Sequence, residues 1–98
     1  MIVHSVSLKW NPNVTPADVA EVDAALDGLA TLDGVEGLLR GPNLGLNPAT
    51  AATCDYAFTV RLADESAFEA YLAHPDHVAV GELLAPLVAG RMSAQLRA

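Results

Sequence analysis

Two stretches of near-perfect two-residue alternation, Ile2–Trp10 and Asp55–Leu62, each lead into a segment of helical period. This doubled strand-then-helix pattern constrains the architecture more than any other feature of the chain. In the first stretch Ile2, His4, Val6, Leu8 and Trp10 share one face, and Val3, Ser5, Ser7 and Lys9 the other. Period two with β-branched residues marks a strand. Asn11-Pro12-Asn13 breaks it. Thr15-Pro16-Ala17-Asp18 then supplies a capping residue, a proline suited to the first helical position and a first-turn carboxylate. Val19, Val22, Leu26 and Leu29 follow at helical spacing, with Asp18, Glu21, Asp23 and Asp27 on the wet side. Asp33-Gly34 ends the helix, and Val35–Leu39 reads as a short second strand. A loop rich in Gly, Pro and Asn runs from Gly41 to about Thr53.

In the second stretch Tyr56, Phe58, Val60 and Leu62 share a face. Ala63-Asp64-Glu65-Ser66 starts a helix that carries Phe68, Tyr71 and Leu72 inward. His74-Pro75 ends it, because a residue before proline is pushed out of the helical region. Asp76 is expected to cap a third helical stretch with Val78, Val80, Leu83, Leu84, Leu87 and Val88, kinked or shortened at Pro86 and closed by Gly90. Arg91–Arg97 alternates once more, Met92, Ala94 and Leu96 against Arg91, Ser93, Gln95 and Arg97. The order is β-α-β-β-α-β, the split βαβ arrangement of an α+β, ferredoxin-like fold. At 98 residues it is one domain, residues 1–98.

Helices cover one face of such a sheet. Ile2, Val6, Leu8, Trp10, Phe58, Val60, Leu62, Met92 and Leu96 are the expected covered set; Ser5, Ser7, Lys9, Thr59, Arg61, Ser93 and Gln95 the expected open one. The open face is either solvated or closed against a second copy. The chain is 52% hydrophobic with a mean hydropathy of +0.31, a high apolar load for its size. That favours self-association, with two sheets pairing into a dimeric α/β barrel.

Twelve acidic residues against five basic ones leave a net charge of −7. No cationic stripe exists to displace counterions, which argues against nucleic acid and anionic membranes as partners. Cys54 stands alone, so neither an internal disulfide nor a zinc knuckle is expected. The opening MIVHSVSLKW lacks the basic and apolar regions of a signal peptide, and no apolar run reaches the ~20 residues of a membrane span. A cytoplasmic location is the expectation.

Three features could carry chemistry. His4 is a polar residue on an apolar strand face, where a histidine is ordinarily structural. Tyr71-Leu72-Ala73-His74-Pro75-Asp76-His77 is the densest polar-aromatic cluster. Its bland reading is a rim tyrosine, a helix cap and two loop histidines. Its functional reading places His77 in the first turn of a helix, where the macrodipole disfavours imidazolium and leaves a neutral base. Tyr71 could then hold a carbonyl or enolate oxygen. A metal site at His74, Asp76 and His77 is disfavoured, because no further His or Cys lies nearby. Cys54 lacks a flanking base, and Gly41-Pro42-Asn43-Leu44-Gly45 lacks the ending of a phosphate loop.

The chain resembles the stress-responsive dimeric α/β-barrel domain family over nearly its whole length. Val3-His4-Ser5-Val6-Ser7-Leu8, Asp55-Tyr56-Ala57-Phe58-Thr59-Val60 leading into Ala63-Asp64-Glu65-Ser66, and Ala70-Tyr71-Leu72-Ala73-His74-Pro75-Asp76-His77-Val78 carry the resemblance. The last is the most specific. The resemblance implies dimers that pair their sheets into a barrel. It extends to olivetolic acid cyclase-type members, which close a linear tetraketide thioester by aldol condensation without a cofactor. It implies His77 as the pocket base, Tyr71 as the pocket tyrosine and His4 as a further pocket residue. A histidine of the cyclase pocket falls at Tyr56 here, so the pocket differs in shape and polarity.

Two functions fit these residues. One is a cofactor-free cyclase or lyase acting on a polyketide-like or phenolic ligand, with His77 and Tyr71 catalytic and with His4, Tyr56, Trp10, Phe58 and His74 lining the ligand site. The other is a non-enzymatic, stress-responsive homodimer that binds a small apolar ligand. Neither requires a cofactor or a metal.

Overall fold

A computed structural model describes all 98 residues. The elements are β1 (Ile2–Trp10), α1 (Pro16–Leu29), β2 (Val35–Pro42), β3 (Tyr56–Leu62), α2 (Glu65–Ala73), α3 (Pro75–Leu84) and β4 (Val88–Arg97). The four strands form one antiparallel sheet in the order β2-β3-β1-β4, with the two halves of the chain interleaved. This is the ferredoxin-like βαββαβ fold, its second helical segment split at Pro75.

Local chemistry places the helices. Thr15 and Asp18 form a reciprocal capping box at the start of α1, the Thr15 hydroxyl accepting from the Asp18 N–H and the Asp18 carboxylate from the Thr15 N–H. The Asp64 carboxylate accepts from the Ala67 N–H and caps α2. Gly34, at φ +85°, turns the chain into β2, and a Cβ there would meet the Ala67 Cβ at 2.9 Å.

The core lies between the helices and one sheet face. Ile2, Val6 and Leu8 of β1 and Phe58, Val60 and Leu62 of β3 are buried, as are Val22, Leu26 and Leu29 of α1. The period-two pattern of β1 and β3 therefore faces the helices as expected.

Three expectations are corrected. The residue that caps α3 is His74, whose Nδ1 accepts from the Asp76 N–H at 3.0 Å; Asp76 itself sits in the first turn. Helix α3 stops at Leu84, so Leu87 lies outside it, and Val88 and Gly90 belong to β4, which starts earlier than Arg91. The faces of β4 are the reverse of the expected ones. Met92 pairs with Ser7 and Leu96 with Val3 on the open face, while Arg91, Ser93 and Gln95 lie opposite Leu8, Val6 and His4 on the helix side. Directly opposed residues of an antiparallel pair share a face. Met92 is 75% exposed and Leu96 64%.

Candidate functional site

The helices do not extend fully over the β4 edge of the sheet, and a hollow of about 290 Å³ remains there. Its floor is His4, Val6 and Phe58, its helical wall includes Tyr71 and His77, and its outer edge is Arg91 and Ser93 of β4. Small-molecule sites span roughly 300–1,000 Å³, so this one suits a ligand of about one ring.

His74-Pro75 positions the two key side chains. The break lets α2 end with Tyr71 in its last turn and α3 begin with His77 in its first turn. The two rings come to 4.6 Å between centroids. His77 Nδ1 lies 3.1 Å from the Leu72 carbonyl oxygen. A carbonyl can only accept, so Nδ1 carries the proton and Nε2 of the neutral ring keeps the free lone pair. Burial holds the His77 pKa below its usual 6.5, with Arg91 adding to the depression and the Leu72 hydrogen bond opposing it.

His4 is buried beneath α2, its ring 5.1 Å from Phe68 and 6.1 Å from Tyr71. The Gln95 amide nitrogen is 3.0 Å from His4 Nδ1, and an amide NH₂ can only donate. The neutral ring therefore carries its proton on Nε2 and offers a donor. Burial, and secondarily the nearby His77, lowers the His4 pKa. Tyr71 is 2% exposed and its hydroxyl is the one buried side-chain oxygen or nitrogen without a hydrogen-bond partner. Burial pushes the Tyr71 pKa up to about 12, keeping it a phenol across the neutral range.

Of the seven residues singled out from sequence, His4, Phe58, Tyr71 and His77 line this hollow. The other three lie elsewhere. Tyr56 turns under α1, where its hydroxyl donates to the Asp23 carboxylate at 2.5 Å. Trp10 packs on the Tyr56 ring, 5.4 Å between centroids. His74 uses its ring to cap α3. No three His, Cys, Asp or Glu side chains cluster with metal-binding geometry, and no helix is long and apolar enough to cross a membrane. Arg91 and Ser93 are lining residues that sequence reasoning placed on the wrong side or left out. Their signal was weak, since period two says that the faces of β4 differ but not which is inward.

A dimeric ferredoxin-like protein of unknown function from Thermobifida fusca is 36% identical, covering 99% of this chain and 90% of its own, with a TM-score of 0.88. A second dimeric ferredoxin-like protein of unknown function, from a Jannaschia species, is 27% identical, covering 99% and 98%, with a TM-score of 0.87. A hydroxynitrile lyase from Passiflora edulis shares the fold at 12% identity, covering 97% and 90%, with a TM-score of 0.83. No curated protein matches the sequence. The family model described as the stress responsive A/B barrel domain matches residues 2–97, and the chain belongs to that family.

Proposed function

We propose that this protein is a homodimer whose protomers each use the hollow beside β4 to bind a small phenolic or polyketide-like ligand, and that His77 acts there as a general base in a cofactor-free, olivetolic acid cyclase-like reaction. The observation that carries the reading is the convergence of His4, Tyr71 and His77 on one hollow, with the Tyr71 hydroxyl buried and unpartnered. An orphaned buried hydroxyl costs free energy that a bound oxygen would recover. The free Nε2 of His77 takes an acidic α-proton flanked by carbonyls. Tyr71 donates to the carbonyl oxygen that becomes the enolate, and the enolate carbon closes on a second carbonyl. The imidazolium returns the proton to the new alkoxide.

Dimerisation through the open sheet face is supported by Leu39, Met92 and Leu96, exposed on it at 77%, 75% and 64%. The small Ser5, Ser7 and Ala94 beside them permit close approach of a second sheet. Two relatives are described as dimeric.

The test is turnover of a panel of β-keto acids and their thioesters by wild type, His77→Ala and Tyr71→Phe, with light scattering to follow the dimer. Loss of His77 should lower the rate by about 10²–10⁴-fold while the dimer persists. Unchanged turnover in His77→Ala overturns the base assignment. Probe binding without turnover by any variant assigns the hollow to ligand storage instead.

A further inference from the structure

The hollow holds a charge that the proton chemistry above does not use. Arg91 lies opposite Leu8 on the helix side of β4 and lines the outer edge. Lys9, Arg40 and Arg97 are each in an ion pair with a carboxylate; Arg91 is in none. Arg61, also without an ion pair, sits on the open face across Gly37, away from the hollow. Although the chain carries twelve Asp and Glu residues, none of them lines this hollow. An unpaired guanidinium at the exposed rim of an acid-free recess, in a chain with net charge −7, is a local reversal of sign.

The other polar groups extend the pattern. His4 offers an Nε2–H and Tyr71 an unpartnered hydroxyl, so donors predominate and His77 Nε2 is the ring acceptor. A guanidinium presents a planar fork matched to the two oxygens of a carboxylate. The small volume and the apolar floor of Val6 and Phe58 restrict the remainder of a ligand to about one ring or a short chain.

We propose that Arg91 pairs with a carboxylate of the ligand, so that the hollow selects ionised monocyclic aromatic or β-keto acids over their neutral counterparts. This rests on the reading of the hollow as a small-molecule site and adds its specificity determinant. A carboxylate held there would also offset the repulsion that Arg91 exerts on protonated His77, making the neighbouring base more basic when the ligand is bound.

The experiment is calorimetric titration with 2,4-dihydroxybenzoate and with its methyl ester, for wild type, Arg91→Gln and Arg97→Gln. The last removes the same charge at a surface ion pair outside the hollow. The acid should bind wild type about tenfold or more tighter than the ester, as a charge-assisted hydrogen bond implies. That preference should vanish in Arg91→Gln and persist in Arg97→Gln. Equal binding of acid and ester by wild type, or a preference that survives in Arg91→Gln or disappears in both variants, overturns the role of Arg91 and leaves the hollow a ligand site. Binding of neither compound to wild type overturns both readings. If Arg91→Gln misfolds, Arg91→Ala takes its place with the same two deciding outcomes.

Discussion

The phenol of Tyr71 and the imidazole of His77, contributed by two different helices, sit 4.6 Å apart between ring centroids because the chain breaks at Pro75 between them. An unbroken helix would put residues six apart on different faces; two helices meeting at a corner bring them together. The pair couples an unpartnered donor to a free ring nitrogen at the wall of one hollow.

Tyr71→Phe should therefore separate stability from function. It deletes a buried hydroxyl that has no partner, so the fold should gain up to about 1 kcal/mol in urea denaturation. Ligand affinity or turnover should fall. A loss of stability would mean that the hydroxyl has a partner in solution.

Tyr56→Phe should do the opposite. The Tyr56 hydroxyl donates to Asp23, which also pairs with Arg40 at 3.3 Å, and together these tie β3 and β2 to α1. Removing the donor should cost about 1–2 kcal/mol, since the acceptor is charged but partly exposed to water. Ligand binding should be unaffected, because Tyr56 lies outside the hollow.

The pH dependence of stability follows from His4 and His77, both held below the usual 6.5 mainly by burial. The unfolded chain then takes up protons before the folded one does. Stability should be complete above pH 6.5 and decline as pH falls from there through the lower folded-state values. Turnover through a neutral His77 should persist below pH 6.5 before it drops. Thermal unfolding of wild type and His4→Phe between pH 5 and 8 checks the sign: the variant should show the shallower loss.

Met92→Glu combined with Leu96→Glu should yield a folded monomer. Both side chains stand on the open sheet face, so the core is untouched, but a second sheet would have to bury four new carboxylates across the two protomers. Light scattering gives the mass, and far-ultraviolet circular dichroism confirms the fold. A variant that remains dimeric would move the interface to another surface.

Much of this molecule is written in short-range chemistry. Alternation in Ile2–Trp10 and Tyr56–Leu62 specifies two central strands and their buried faces, because both are flanked by neighbours and face a helical layer. The Thr15–Asp18 box and the Asp64 cap start their helices from local hydrogen bonds alone. Three outcomes depended on the assembled fold. The β4 strand lies at the sheet edge, where its pairing with β1 sets which face turns inward, and that register put Arg91 rather than Met92 beside the hollow. Tyr56 was drawn away from it by Asp23, an acceptor 33 residues earlier in the chain. His74 was taken up by the Asp76 amide at a helix start. A local pattern says that a strand has two unlike faces or that a ring is polar; only packing against distant elements decides which face is covered and which partner the ring meets.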